Sequence, residues 1–451
     1  MNLLVKDRAF YRQLTSIALP IALQNLITFG ISLVDTAMVG TLGEAQLSAV
    51  SIANQVTFVF QLLSYGTGSG ACVLASQYWG RKDTESIQKA MSFMYRIIIL
   101  SALFFTAMAV FFPWQIIRIF ITDAEVIEEG VKYLRIVGFS YLCMGISITT
   151  VNLLRAMSVV TVAFVTSACS LAVSMTLNWV LIFGNLGAPA LGVEGAAIST
   201  CIARLVEVTI VCIYILAYDK KIRFRIRTLF KRKLGIAYKY FKTGFPVLIN
   251  ELLWGAGMAF IAVIIGHMGR EFTAANTICT VLSQFVTIAI FGVAHAAAVV
   301  IGNTVGAGEY HKAKEYARTI LLISFLLGLL GCAEVQLLKM PIIGFYDISP
   351  LTKEYAIQII NVYSVVVIFV ALAATLLVGI LRGGGDTRFV LIIDGLFLWC
   401  ICIPLGFFTG LYLGWPVQMV YTVLKTDEIL KAAATLIRFA RGNWIYDVTI
   451  R

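Results

Sequence analysis

The hydrophobic pattern of this chain is one of long apolar runs broken by short polar connections. Runs fall near 17–39, 50–79, 93–117, 133–155, 160–184 and 192–217, then near 244–268, 275–305, 317–345, 357–381, 387–413 and 415–437. Each is at least as long as the roughly 20 residues a helix needs to cross a bilayer. None shows the every-second-residue alternation of a membrane β-barrel strand. The pattern therefore predicts an all-α polytopic membrane protein with 12 transmembrane helices. Lys425, Asp427, Glu428 and Lys431 interrupt the last run, which reads either as a span or as a shorter span followed by an amphipathic tail.

The connections alternate in charge. Lys6, Arg8 and Arg12 precede the first run, whereas TLGEAQ after it has no basic residue. GRKDTESIQK is basic and GNLGAPALGVEG is not, while GEYHKAKEYAR and the tail with Arg438, Arg441 and Arg451 are basic again. Positive connections mark the cytoplasmic side. This predicts a multi-pass protein of the plasma (inner) membrane with both termini in the cytoplasm.

Composition agrees. Of 451 residues, 60% are hydrophobic and 13% charged, against roughly 45–50% and about 25% in soluble domains. The net charge of +11 raises nucleic acid as a partner, but its densest block, Asp219–Lys242, lies between two spans. There it fits the anionic inner leaflet, so the bilayer and not nucleic acid is the expected partner. The opening MNLLVKDRAFYRQL has no cleavable-signal pattern,. The nine cysteines form no CxxC pair or Cys/His cluster and read as small buried hydrophobes, with no metal or cofactor expected,.

The chain repeats itself. A shift of 226 residues places Pro20 on Pro246, Gly40 on Gly266, Gly66 on Gly292 and Gly80 on Gly306 without a gap. NLLRAM is echoed by VGILRGGG at a shift of 227. Both copies start on the same side, as in a parallel transporter repeat. The expected organisation is two pseudo-symmetric six-helix bundles: an N-lobe over 1–218, a basic cytoplasmic linker over 219–243 and a C-lobe over 244–451.

Polar residues inside the spans are the candidate chemistry. Gln24, Thr28, Ser32 and Asp35 fall on one helical face, with Asn25 beside them, and Asn54 and Gln61 share a narrow arc on span two,. Such faces turn to a bundle interior or a water-filled cavity, and hydrogen-bonding between helices is the competing use of the amides. Asp35 is different. A carboxylate costs about 2.5–3.5 kcal/mol at mid-helix on insertion scales, a neutral amide would bridge helices more cheaply, and no Lys or Arg is expected in the middle of a span to pair with it. It reads as a titratable or ion-binding site. The second copy carries Ile261 at that position and places an acid, Glu251, two turns past Gly244, near Trp254. That pair could seat a lipophilic cation, or Glu251 could be hydrogen-bonded locally. Gln284 and His295 lie on one side of span eight, and Asp394 is a further acid within a span. No enzyme signature is present: RGGGDTR lacks phosphate-loop spacing and reads as a tight interhelical turn.

Several stretches resemble the multidrug and toxic compound extrusion (MATE) transporters over nearly the whole chain: ALPIALQNL with LVDTAMVGTLG, LNWVLIFG, GAPALGVEGAAIST, GFPVLINELLWG, ILRGGGDTR and LIRFARGNWIYDV. The resemblance implies two six-helix lobes in a V shape. It also implies a monomeric antiporter that exports small organic cations, drugs or metabolites in exchange for H⁺ or Na⁺, with no cofactor. By the same resemblance, Asp35 matches the first-helix acid of the ion or proton site, with Na⁺ as one occupant, and Asn178 and Thr200 match positions around it. Glu251 lies in the helix where relatives place a second acid, although the NorM-type pattern puts it nearer Trp254. The NorM-type tenth-helix Asp falls near Ala371 and is absent, and the DinF-type fifth-helix acid appears as Asn178. A flippase or exporter of lipid-linked or polysaccharide precursors is the alternative within the wider superfamily, and it would require a more cationic interior.

Overall fold

The computed structural model describes residues 4–224, 226–230, 235–346 and 348–450. Residues 225 and 231–234 of the basic block lie outside the described residues. Among the described residues the secondary structure is helical, apart from one isolated antiparallel bridge between Gly385 and Ile445.

The first half contains α1 (Arg8–Gly40), α2 (Glu44–Gly80), α3 (Thr84–Phe111), α4 (Pro113–Phe120), α5 (Ala124–Val137), α6 (Tyr141–Arg155), α7 (Thr161–Phe183) and α8 (Gly192–Ile213). The second contains α9 (Ala237–His267), α10 (Arg270–Gly306), α11 (Tyr310–Gly344), α12 (Pro350–Ala374), α13 (Thr387–Gly395), α14 (Ile403–Phe407), α15 (Val417–Leu424) and α16 (Thr426–Ala440). Wide π-type turns at Thr375–Leu381, Leu396–Cys402 and Phe408–Tyr412 extend α12 and join α13 to α14 and beyond.

Local chemistry sets many of these limits. Asp83 caps α3 through the Ser86 amide, and Asp123 caps α5 through the amides of Glu125 and Val126, satisfying N–H groups that have no partner inside a helix. Pro350 sits in the first turn of α12 behind a Ser349 cap, where its missing N–H costs nothing. Pro20 and Pro246 instead lie inside α1 and α9, at equivalent repeat positions, and each removes one helical hydrogen bond. The left-handed Gly184 closes α7,.

Eleven helical segments among the described residues are long and apolar enough to span a membrane. One of them, Ala124–Arg155, joins α5 and α6 through a single tight turn, and another, Thr387–Tyr412, runs through α13 and α14. The twelfth apolar run differs from a single uninterrupted span. It is two shorter helices, α15 and α16, that break at Lys425, with φ −110° and ψ 0°. The charged residues that interrupt its hydrophobicity coincide with the break.

The chain divides into two compact units. One comprises Met1–Ala22, Ser76–Lys82 and Ile249–Arg451, the other Leu23–Ala75 and Asp83–Leu248. Within them the repeat is visible as reciprocal close packing. Inside one unit, a Cβ on Gly66 would stand 2.7 Å from the Leu248 Cα. Inside the other, a Cβ on Gly292 would stand 3.1 Å from the Cβ of Ala22, the residue equivalent to Leu248 under the 226-residue shift. Gly80 likewise abuts the Asn303 carbonyl, and Gly306 abuts the carbonyl of Gln77, the equivalent of Asn303. Only glycine lets helix backbones approach so closely.

The RGGGDTR turn is built into the C-terminal segment. The Tyr446 amide donates to the Gly384 carbonyl at 2.7 Å, and Arg438 Nε donates to Asp386 Oδ2 at 2.8 Å. The Gln77 side chain donates to the carbonyls of Gly383 and Tyr446 and accepts from the Val448 amide. Trp444, 1% exposed, packs over Gly384.

Candidate functional site

Asp35 is in the last turns of α1, facing α7. Its Oδ1 accepts hydrogen bonds from Asn178 Nδ2 at 2.6 Å and from Ser174 Oγ at 3.1 Å. Ser174 and Asn178 are four residues apart on α7, one helical turn, so both reach the same oxygen. Asn178 is 2% exposed, and its own Oδ1 is buried with no hydrogen-bond donor among the described residues. Left-over buried acceptors of this kind are rare and call for an explanation. Beside Asp35, Asn178 thus presents an oxygen suited to a proton carrier or a small cation.

The absence of a basic residue inside the spans, expected from the sequence, is corrected by the structure. Arg204 lies within α8, its Nη1 binds both oxygens of Glu207 at 3.0 and 2.9 Å, and its charge acts on Asp35. The three ionised groups together carry one net negative charge, which lessens the isolation of Asp35 inside the bundle. Tyr133 of α5 connects further candidates. Its hydroxyl donates to Asn54 Oδ1 at 3.4 Å, lies beside Thr200, and is within electrostatic reach of Asp35. Asp35, Asn178, Thr200 and Asn54 therefore form one connected set, with Ser174, Tyr133, Arg204 and Glu207 as members the sequence reading missed.

Gln24 belongs elsewhere. Its Oε1 accepts from Arg155 Nη2 at 2.8 Å, and Arg155 Nη1 donates to Asn152. Thr28 spends its hydroxyl on the Gln24 carbonyl within α1. Asn25 and Gln61 are half-buried.

The second half repeats this scheme with charge added. Arg382, at the repeat position of Arg155, donates from Nη1 to Glu251 Oε1 at 2.7 Å. Both arginines are almost fully buried, and among the described residues the Nε of each has no hydrogen-bond partner. The Glu251 carboxylate is thus committed to an arginine. Trp254 packs one turn further along α9 against the apolar core of that unit.

Asp394, near the end of α13, sits in a denser cluster. Its Oδ2 accepts from Asn250 Nδ2 at 3.0 Å, and its Oδ1 is 2.6 Å from Lys431 Nζ. Lys431 also reaches Asp427 Oδ2 at 2.8 Å, one turn earlier on α16. Lys431, Arg155 and Arg382 extend the correction made for Arg204: buried cations are present in both halves. Gln284 is exposed on α10, and His295 lies beside Phe291 with their ring centroids 6.4 Å apart. The described contacts join neither residue to Asp35 or Asp394.

These features define an all-helical polytopic membrane protein made from a duplicated bundle, with a carboxylate held by an asparagine inside each copy. The chain belongs to the MatE family, whose profile matches residues 20–180 and again 246–408, two matches that begin 226 residues apart. It is 24% identical over 439 residues to a probable multidrug resistance protein NorM of Thermotoga maritima, covering 96% of this chain and 93% of that protein. It is 21% identical to a probable multidrug resistance protein YoeA of Bacillus subtilis, covering 92% of each. Among solved structures, an outward-facing multidrug resistance MATE transporter of the MOP superfamily superposes with a TM-score of 0.86 at 17% identity, covering 95% of this chain and 96% of that one. A Pyrococcus furiosus MOP superfamily transporter, described as having a binding pocket of reverse polarity that suggests a different function, superposes with a TM-score of 0.84 at 17% identity, over 95% of this chain and 94% of that one.

Proposed function

We propose that this chain is a secondary active antiporter of the inner membrane that exports lipophilic or cationic drugs or metabolites in exchange for H⁺ or Na⁺. The observation that carries the reading is the Asp35 site: a span carboxylate held by Asn178 and Ser174, next to a buried amide oxygen that has no donor. In the outward-open state Asp35 takes up the ion, which cancels its charge and loosens its hold on Asn178. The packing around Tyr133 and Thr200 then changes, substrate leaves outward, and the ion is released inside. Coupling requires the ion to bind the two states unequally, and a carboxylate whose hydrogen bonds differ between states provides that inequality.

In this reading the functional halves are 1–218 and 244–451, joined by the basic cytoplasmic segment 219–243, with both termini inside and the protein working as a monomer. Substrate is held by polar and aromatic side chains of the spans, Asn25, Asn54, Gln61, Trp254, Gln284 and His295 among them. The resemblance of the chain to proteins named for multidrug resistance supports a broad substrate class.

A precursor flippase or exporter is the second reading, and the buried Arg155, which has no carboxylate at ion-pair distance among the described residues, is the observation that favours it. Arg204, Arg382 and Lys431 are each occupied by acids, so the free cationic surface stays small and the antiporter reading is preferred. The test is efflux of a fluorescent cationic dye from proteoliposomes with ΔpH and ΔNa⁺ imposed separately. Asp35→Asn should fold normally and lose gradient-driven transport. Transport at the wild-type rate by Asp35→Asn would overturn the reading.

A further inference from the structure

The Asp35 site leaves unused a second charge cluster, buried between α9, α13 and α16. Lys431 is 2% exposed, and its ammonium is shared between Asp394 at 2.6 Å and Asp427 at 2.8 Å. Asn250 holds the other oxygen of Asp394 at 3.0 Å. Glu428, next to Asp427, lies within electrostatic reach of Lys431, Asp427, Lys425 and Asp394. Among the described residues the other titratable groups facing the cluster are Tyr363 of α12, Tyr421 of α15, Cys279 of α10 and the Cys402 thiol of the turn after α13.

The charges do not balance. Asp394, Asp427 and Glu428 contribute three negative charges, and Lys425 and Lys431 two positive, so the fully ionised set carries one net negative charge. An uncompensated charge away from water is costly enough that such a group takes up a proton instead. A single proton makes the cluster neutral, and with carboxylates this close it belongs to the set as a whole. An inorganic cation is a poorer occupant. The Lys431 ammonium already fills the place between the two aspartates, and Asn250 and Lys431 take both oxygens of Asp394. A proton needs only one oxygen.

The arrangement also complements the first half. There the acid is on the first helix of the repeat and its asparagine on the fifth, Asp35 with Asn178. Here the asparagine is on the first helix and the acid on the fifth, Asn250 with Asp394.

We propose that Asp394, Asp427, Glu428 and Lys431 form a second proton-binding site, in the second half of the chain, that exchanges its proton during the transport cycle. The exchange rests on the antiporter reading; the proton binding does not. Loss or gain of the proton changes the hold of Lys431 on Asp394, and thereby the tie between α16 and α13.

The test separates the two parts. Full-length Asp35→Asn protein in lipid nanodiscs removes the first-half acid, and the infrared C=O band of protonated carboxyl groups is followed as pH is raised from acidic to alkaline. A protonated band present at neutral pH should fall by at least half in Glu428→Gln or in Asp394→Asn made in that background. Asp427→Asn in the same background, which removes one negative charge at the other aspartate of Lys431, guards against misfolding of either single variant, and it should lose the band too. A band unchanged in all three, or no protonated band at neutral pH in the parent, overturns the site and leaves a fully ionised brace. In proteoliposomes, with Asp35 intact, Asp394→Asn should lower the number of protons moved per dye molecule. An unchanged proton count overturns the exchange step. Absence of dye transport by the wild type would fell the antiporter reading, while the infrared result still decides the proton site.

Discussion

Arg382 holds Glu251 in an ion pair of 2.7 Å, and the first half of the chain makes the same bond without the acid, Arg155 to Gln24 at 2.8 Å. The two arginines correspond at a shift of 227 residues, and their acceptors lie on the equivalent helices α1 and α9, a few residues past Pro20 and Pro246. A neutral amide therefore suffices for the packing role. Glu251→Gln should fold with its thermal midpoint within a few degrees of wild type. Glu251→Ala leaves a buried guanidinium without its acceptor and should cost about 3–5 kcal/mol. Thermal unfolding in detergent measures this. Dye efflux by Glu251→Gln then separates a packing role, with transport kept, from a coupling role, with transport lost.

Arg204 and Glu207 are three residues apart on α8 and joined by both carboxylate oxygens. Removing one partner strands the other. Arg204→Met and Glu207→Met should each destabilise the protein by roughly 2–4 kcal/mol, and the double variant should recover most of that loss. Additive losses in the double-mutant cycle would show that the pair contributes nothing as a pair.

Gly306 abuts the Gln77 carbonyl and Gly80 abuts that of Asn303, whereas Gly266 has open space around it. Alanine at 306 or 80 should lower the thermal midpoint substantially through overpacking, at about 1–3 kcal/mol or more. Gly266→Ala should leave the midpoint unchanged. Similar midpoints for all three would contradict the close backbone approach.

Asp386 lies in the turn between spans. Burial pushes its carboxyl above the ordinary aspartate range, and the bond to Arg438 pulls it back only in part. A carboxyl raised in the folded state favours folding below its unfolded value, and that advantage is lost as pH rises through the folded value. Removing Arg438 enlarges this effect. Arg438→Ala should therefore show its greatest stability deficit near neutral pH, and the deficit should shrink on acidification. A deficit independent of pH would mean that Arg438 acts through its contacts with Tyr446 and Phe389 alone.

The helices, the duplication and the acid at Asp35 are legible in the sequence, because span length and a gapless match of prolines and glycines depend only on local spacing. Asn178 became visible as a neighbour of Asp35 only through family resemblance, since 143 residues separate the two. The buried cations are harder to read from sequence. Arg204–Glu207 and Asp427–Lys431 have the spacings that put charges on one helical face, so the signal was present, but Lys431 read as an interruption of the last span. The match of NLLRAM to GILRGGG already aligned Arg155 with Arg382; that both turn inward depended on acceptors 131 residues away.

The reciprocal glycines carry a consequence for how the sequence can change over time. When a gene duplicates, its two copies are ordinarily free to drift apart. Here Gly66 faces Leu248 of the second copy, and Gly292 faces Ala22 of the first, as Gly80 and Gly306 face Asn303 and Gln77. Each copy is the mould in which the other is cast. Backbone atoms stand opposite these glycines, so no smaller side chain in the opposite copy can make room for a larger residue, and divergence is channelled away from these helix crossings and toward positions such as Asp35 and Ile261, where the two halves have become different.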